Sequence, residues 1–186
     1  MLLTAYANGY FPMAVEPGDI RWFSPDPRGV LPLDRFHVPR RLLRRLRQAR
    51  FRIAVDTAFT RVIEACAESR EEGSWIDDEI IESYTELHRR GHAHSVEAWR
   101  EDRLVGGLYG VSLRGAFFGE SMFHREPEAS KVALHALVER LRARQYVLLD
   151  VQWVTDHLVA FGAIEIPKRQ YLARLAAALE VDCSFA

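Results

Sequence analysis

Residues 104–120 hold two short apolar runs, Leu104 to Val111 and Ala116 to Glu120, separated by a turn at Ser112 to Arg114. Upstream, His94 to Trp99 alternates in character, and Glu101-Asp102 supplies the turn between it and the next run. Alternation at a period of two is the mark of strands, so three consecutive strands are expected here. A long helix-like stretch, Glu128 to Gln145, follows, and then Tyr146 to Gln152, an apolar run typical of a sheet interior. Strand, strand, strand, helix, strand is a succession that few architectures accommodate. It predicts an α+β fold, a mixed sheet with helices packed on it.

The junction after the third strand carries the first candidate site. Gly119-Glu-Ser-Met-Phe123 puts a carboxylate and a hydroxyl among bulky apolar side chains where the strand is expected to end. A charge beside a large apolar surface is costly to bury without a partner or a job. On a regular strand Phe117 and Glu120 point to opposite faces. Both line one pocket only if the strand bulges near Gly119.

The first 70 residues read differently. Residues 9–33 are punctuated by Gly9, Pro12, Pro17, Gly18, Pro25, Pro27, Gly29 and Pro32, and are expected to be irregular but packed down by Tyr10, Phe11, Trp22 and Phe23. Pro39 can open a helix whose apolar stripe is Leu42, Leu43 and Leu46. A short strand (51–55) and helices at 57–70 and 76–90 follow, the last with Asp77 and Asp78 near its positive end. Helices are also expected at about 156–162 and 167–180. The expected division is a small N-terminal lobe, 1–70, and a larger domain, 71–186.

Charge is balanced overall, 25 Lys and Arg against 26 Asp and Glu, but it is not evenly spread. Arg40, Arg41, Arg44, Arg45, Arg47, Arg50 and Arg52 crowd one segment. Such a cluster is either a solvated helix face or a grip on a polyanion. Two cysteines, Cys66 and Cys183, build neither a disulfide framework nor a zinc set, and His92 and His94 lack further ligands, so no metal is expected. The cysteine usage, the absence of an apolar run of eighteen residues and the lack of a signal-like start together point to a cytoplasmic protein with no membrane segment.

Asp150 and Gln152 lie two apart on the fourth strand and so share a face. They are either a structural pair at a strand end or the polar centre of a site that holds an amine or guanidinium. Glu120 is open in the same way: salt-bridged to Arg125 or Lys131, or facing Asp150 across adjacent strands. Trp75 is a core residue or a platform for a base.

The ordered set of motifs is more specific than any one of them. Gly9-Tyr-Phe-Pro12, Trp22-Phe-Ser-Pro-Asp-Pro-Arg28, Arg70-Glu-Glu-Gly-Ser-Trp-Ile76 and Gly91-His-Ala-His-Ser-Val-Glu97 are followed by Trp99-Arg-Glu-Asp102 and Leu104-Val-Gly-Gly-Leu-Tyr-Gly110. Gly119-Glu-Ser-Met-Phe123, Ala129-Ser-Lys131, Asp150-Val-Gln152 and Gly162-Ala-Ile-Glu-Ile-Pro167 complete the set. In this order, over nearly the whole chain, they resemble the bacterial leucyl/phenylalanyl-tRNA–protein transferases.

The resemblance implies a small N-terminal lobe followed by a domain like the GCN5-related N-acetyltransferases. It implies transfer of Leu, Phe or, less well, Met from aminoacyl-tRNA to an N-terminal Arg or Lys of a protein, marking it for degradation by the N-end rule. The enzyme would work as a monomer without cofactor, since the activated ester makes amide formation downhill. Carried over by similarity, Asp150 and Gln152 are the catalytic pair: Asp150 orients Gln152 and attracts the basic acceptor, and Gln152 contacts the attacking α-amine. Glu120 lies near the aminoacyl group. Leu108, Phe117, Met122, Leu137 and Leu149 form the amino-acid pocket, and Trp75 helps to hold the terminal adenosine. The tRNA-binding residues would be Arg40, Arg41, Arg44, Arg45 and Arg47.

The sequence departs from relatives in three places. Met13 stands where some members have Trp, Leu137 where an aromatic occurs, and the tail after Glu180 is short and does not match. The alternatives are an acyl-CoA-dependent N-acetyltransferase, disfavoured because residues 121–130 contain no glycine to open backbone amides to a pyrophosphate, and a non-catalytic tRNA-binding protein.

Overall fold

A computed structural model describes residues 1–16, 18–69 and 75–186. Two strands, β1 (Phe11–Glu16) and β2 (Asp19–Phe23), form an antiparallel hairpin. Seven more make the main sheet: β3 (Arg28–Val30), β4 (Arg52–Val55), β5 (Ala93–Arg100), β6 (Arg103–Leu113), β7 (Ala116–His124), β8 (Leu148–Gln152) and β9 (Ile164–Ile166). Their order is β4-β5-β6-β7-β8-β3-β9, and of these pairs β7 with β8 is the parallel one. The helices are α1 (Leu2–Ala7), α2 (Arg40–Arg47), α3 (Phe59–Glu68), α4 (Asp78–Arg89), α5 (Ala129–Ala143), α6 (Asp156–Val159) and α7 (Lys168–Leu179). Parallel neighbours need a crossover connection, and α5 makes it.

The fold is α+β, a mixed sheet covered by helices on both faces. One face carries Tyr6, Phe59, Val62, Tyr84, Tyr109, Phe118 and Tyr171, from α1, α3, α4, α7 and the sheet. The other carries Leu42, Leu108, Phe117, Leu134, Leu137, Leu149 and Phe161, from α2, α5 and the loop after α6 as well as the sheet. The expected succession over 93–152 is present. Asp77 caps α4 by accepting the Ile80 N–H at 2.9 Å.

Three features differ from the sequence reading. Residues 9–33 are not irregular: they form β1, β2 and β3, because strand pairing satisfies backbone groups that the prolines leave available. β7 does not end at Glu120 but runs on to His124. And the sheet does not break at residue 70. Both β3 and β4 precede that position, and β3 is inserted between β8 and β9.

The expected bulge is present, one residue from where glycine was to create it. Tyr109 pairs with Ser121 and Gly110 with Gly119, so Glu120 is the extra residue. A Cβ on Gly119 would meet only the Asp150 carbonyl oxygen at 3.5 Å. On Gly110, across the pair, it would lie 2.2 Å from the Phe118 carbonyl oxygen and 2.5 Å from the Phe117 ring. Glycine is therefore demanded opposite the bulge, where β6 is pressed against it.

Candidate active site

The parallel pairing of β7 with β8 lasts for three residue pairs and ends at Phe118 with Asp150. Beyond that point the two strands separate. β7 bulges at Glu120 and stays with β6. β8 turns the other way: its register against β3 shifts between Asp150 and Gln152, and Gln152 adopts a left-handed φ of 63°. A cavity of about 480 Å³ opens in the gap. Its floor is apolar, with Leu108, Met122, Leu134, Leu137 and Leu149. Glu120, Ser121, Gln152, Trp75 and Trp153 also line it.

Glu120 is bound to tyrosines rather than to Arg125 or Lys131. Its Oε1 accepts the Tyr6 hydroxyl at 2.7 Å and the Gln152 Nε2 amide at 3.2 Å, and its Oε2 accepts the Tyr84 hydroxyl at 3.3 Å. Tyr6 and Tyr84 are also hydrogen-bonded to each other. Arg125 turns outward to Glu68, and Lys131 to Glu128. Burial pushes the Glu120 carboxyl up to about 7, with a further push from Asp150, against the pull of Tyr6, Gln152 and Tyr84. Burial, then the Glu120 charge, raise both phenols well above their usual range.

Asp150 lies behind this layer and is 0% exposed. Its Oδ1 accepts Arg28 Nε at 3.0 Å and the Gln152 backbone N–H at 2.8 Å. Its Oδ2 accepts Arg28 Nη2 at 2.7 Å and the Tyr171 hydroxyl at 2.6 Å. An ionised carboxylate offers about four acceptor positions, and all four are used. Arg28 is 1% exposed, lies between the rings of Phe11 (4.8 Å) and Tyr171 (4.5 Å), and donates also to the Gly9 carbonyl. Burial alone would lower its pKa; the bonds to Asp150 override that and raise it.

The geometry sorts the expected residues. Leu108, Met122, Leu137, Leu149, Glu120, Gln152 and Trp75 all line one cavity. Phe117 does not. It lies on the stretch where β7 and β8 are still paired, and it stacks at 5.2 Å on Phe185 from the C-terminal tail. It supports the floor from beneath. Asp150 does not reach the cavity either: it acts on the Gln152 backbone, and its acceptor positions leave none for an incoming cation. Residues Arg70 to Ser74 of the Trp75 motif lie outside the described residues.

Sequence reasoning missed Arg28, Tyr6, Tyr84 and Tyr171. Arg28 closes the Trp22–Arg28 motif, but nothing local distinguishes a buried arginine from a surface one. Its partner is 122 positions away.

On α2, Arg40, Arg41, Arg44 and Arg47 face solvent, Arg45 is half-buried and bonded to Gln48, and Leu42 anchors the helix. Arg41 lines a second cavity of about 220 Å³ with Leu42, Lys131 and His157. His157 also lines the main cavity, so the two cavities adjoin at this side chain. Burial, then Lys131 and His124, lower the His157 pKa.

A largely apolar pocket with a hydrogen-bonded carboxylate and amide in its lining has room for an apolar moiety beside a polar group. Comparison with known proteins narrows the class. The sequence model described as Leucyl/phenylalanyl-tRNA protein transferase matches residues 30–176, and that of the N-terminal domain of the same name matches 1–26. Proteins named Leucyl/phenylalanyl-tRNA--protein transferase match along their length. That of Gloeobacter violaceus is 55% identical over 186 residues, covering 100% of this chain and 95% of the relative. That of Salinibacter ruber is 54% identical, covering 98% and 80%. That of Akkermansia muciniphila is 52% identical, covering 97% and 95%. The chain belongs to the leucyl/phenylalanyl-tRNA–protein transferase family, a family of aminoacyltransferases. Among solved structures, a ribosomal-protein-alanine N-acetyltransferase from Brucella melitensis biovar Abortus 2308 matches with 17% identity and a TM-score of 0.42, covering 59% of this chain and 84% of that one.

Proposed function

We propose that this protein transfers Leu or Phe, and less well Met, from aminoacyl-tRNA to the N-terminal Arg or Lys of a protein, marking that protein for degradation. The observation that carries this reading is the two-layered cavity, an apolar floor of Leu108, Met122, Leu137 and Leu149 beneath the Glu120–Gln152 hydrogen bond. Leu, Phe and Met are unbranched at Cβ, and such a floor suits them. A methylene in an apolar pocket discriminates by only about 1–3 kcal/mol, so related side chains leak through.

In the reaction the acceptor's α-amine attacks the ester carbonyl. A C–N bond forms, the C–O bond to the ribose breaks, and the amine's proton leaves with the ribose oxygen. Gln152 donates its amide N–H to Glu120, which leaves its carbonyl oxygen to accept from the attacking amine and hold its lone pair toward the ester. Asp150 and Arg28 act one layer back, fixing the backbone that aims Gln152. Glu120, with a carboxyl that titrates near neutrality, takes the proton from the amine and returns it to the leaving oxygen. Positioning of two substrates accounts for much of the remaining acceleration. The arginines of α2 hold the tRNA backbone beside the opening, and Trp75 holds the terminal base.

The test is incubation of the protein with leucyl-tRNA and a peptide beginning with Arg, followed by mass spectrometry. Addition of one leucine to the peptide N-terminus is expected. No addition, or acetylation in a parallel reaction with acetyl-CoA, overturns the reading.

A further inference from the structure

The proposed acceptor brings an α-amine and a cationic side chain, and the carboxylate that lines the cavity, Glu120, serves the α-amine in the reading above, which leaves the side-chain charge without a carboxylate of its own. Glu120 is the one carboxylate among the described residues that line the cavity, and it is held by Tyr6, Tyr84 and Gln152. Asp150 has its acceptor positions filled. Some other group must distinguish an N-terminal Arg or Lys from a neutral residue.

Trp153 is the residue placed to do so. It lines the cavity and is 41% exposed, and of the two most exposed indoles, Trp153 and Trp22 at 38%, it is the one at the cavity. Its position is built. Phe11 meets it edge-to-face at 5.1 Å, and Phe23 at 6.4 Å. Its backbone is pressed against β3 so closely that a Cβ on Gly29 would lie 2.8 Å from the Trp153 carbonyl carbon. The left-handed turn at Gln152 delivers the chain to this point. An exposed indole held rigid by its neighbours binds at little entropic cost, and among the aromatic side chains Trp attracts cations most strongly.

Its location decides between occupants. Trp153 directly follows Gln152. The first side chain of the acceptor is tethered to the α-amine that meets Gln152, so it must lie within one residue's reach of that amide. The base of the tRNA is tethered to the ribose, at the other end of the reacting ester. We propose that Trp153 is the specificity platform of the acceptor site, stacking the guanidinium or ammonium of the N-terminal residue by a cation–π contact. The assignment rests on the aminoacyl-transfer reading above.

The experiment compares leucine transfer from leucyl-tRNA to two peptides identical except for an N-terminal Arg or citrulline. Citrulline keeps the shape of arginine and removes its charge. Wild-type protein is expected to favour the Arg peptide in kcat/KM by roughly tenfold or more, the scale of one partly desolvated cation–π contact. Trp153→Leu is expected to erase most of that preference by raising KM for the Arg peptide. Trp153→Phe, which retains a weaker π face and the packing against Phe11, is expected to keep part of it.

An Arg/citrulline ratio unchanged in Trp153→Leu overturns the assignment. So does a loss that falls on KM for leucyl-tRNA instead, which would make the indole a base platform. If wild type discriminates by less than twofold, the assignment falls with no variant needed. If wild type transfers no leucine to the Arg peptide, the aminoacyl-transfer reading itself fails and the platform with it. Those two failures are separable, because the first leaves transfer intact.

Discussion

Arg28 and Asp150 are joined by two parallel hydrogen bonds of 3.0 and 2.7 Å in the core, at 1% and 0% exposure. The pair ties β3 to β8 behind the cavity. Such an ion pair contributes little against an apolar substitute, but removing one partner leaves a buried charge uncompensated. Arg28→Ala and Asp150→Ala are each expected to destabilise the fold by about 3–5 kcal/mol, read from chemical denaturation. The double variant Arg28→Met with Asp150→Leu is expected to recover most of that stability without restoring transfer. Recovery of transfer together with stability would show that the pair only supports the fold.

Gln152 holds its left-handed backbone at a cost of about 1–2 kcal/mol for an L-residue, an arrangement that strained sites tend to share. Glycine adopts that φ freely. Gln152→Gly is expected to be at least as stable as Gln152→Ala, while both lose transfer by two orders of magnitude or more and keep tRNA binding. Single-turnover transfer and filter binding of leucyl-tRNA separate the two effects. Unchanged transfer in either variant would remove Gln152 from the reaction.

Glu120 sets a pH dependence whose sign follows from burial. Its carboxyl is raised from 4.5 to about 7. Between these values the folded chain keeps a proton that the unfolded chain has released, so this group's contribution to stability falls as pH rises from about 4.5 to about 7 and is level above. Glu120→Gln is expected to flatten that portion of the stability curve. The transfer rate is expected to move oppositely in wild type, rising through pH 7 as Glu120 becomes a base. In Glu120→Gln the rise tracks only the acceptor amine, whose ordinary value is about 7.7–8.0. Identical stability curves for both proteins would show that Glu120 does not titrate in this range.

The arginines of α2 are expected to act through phosphate charge. Replacing Arg40, Arg41, Arg44 and Arg47 together by Gln should weaken tRNA binding and lower the slope of log K against log salt by about 0.7–0.9 for each phosphate that the helix no longer neutralises. An unaltered slope would return the helix face to solvent.

Gly110→Ala tests the bulge. A methyl group 2.2 Å from the Phe118 carbonyl oxygen and 2.5 Å from the Phe117 ring has no room. Overpacking typically costs about 1–3 kcal/mol, and backbone on one side of this contact places the expected loss at the upper end. Gly119→Ala, whose Cβ meets one atom at 3.5 Å, is expected to cost far less. Equal melting temperatures for the two would contradict the placement of the bulge.

Periodicity and composition carried the layout of this protein. The alternation of 94–99, the apolar runs of 104–111 and 116–120, the long helix-like stretch of α5 and the apolar run of β8 are local properties, legible from side-chain type and spacing. The need for a bulge near Gly119 was legible from a period of two, whereas the pocket of Leu108, Met122, Leu137 and Leu149 came from the family resemblance, and the shared face expected of Asp150 and Gln152 gave way to an Asp150 that lies behind Gln152 and binds its backbone N–H. The tertiary structure alone decided which of these meet. Whether Phe117 lines the cavity or supports it depends on where β7 and β8 part, and that depends on hydrogen bonds between strands about 30 residues apart. β3 was hidden among prolines because its partners β8 and β9 lie more than 100 residues downstream. The counter-ion of Asp150 is Arg28, 122 residues away. No local pattern encodes such a contact: it exists only because burial makes an unpaired charge intolerable, and the fold supplies the partner.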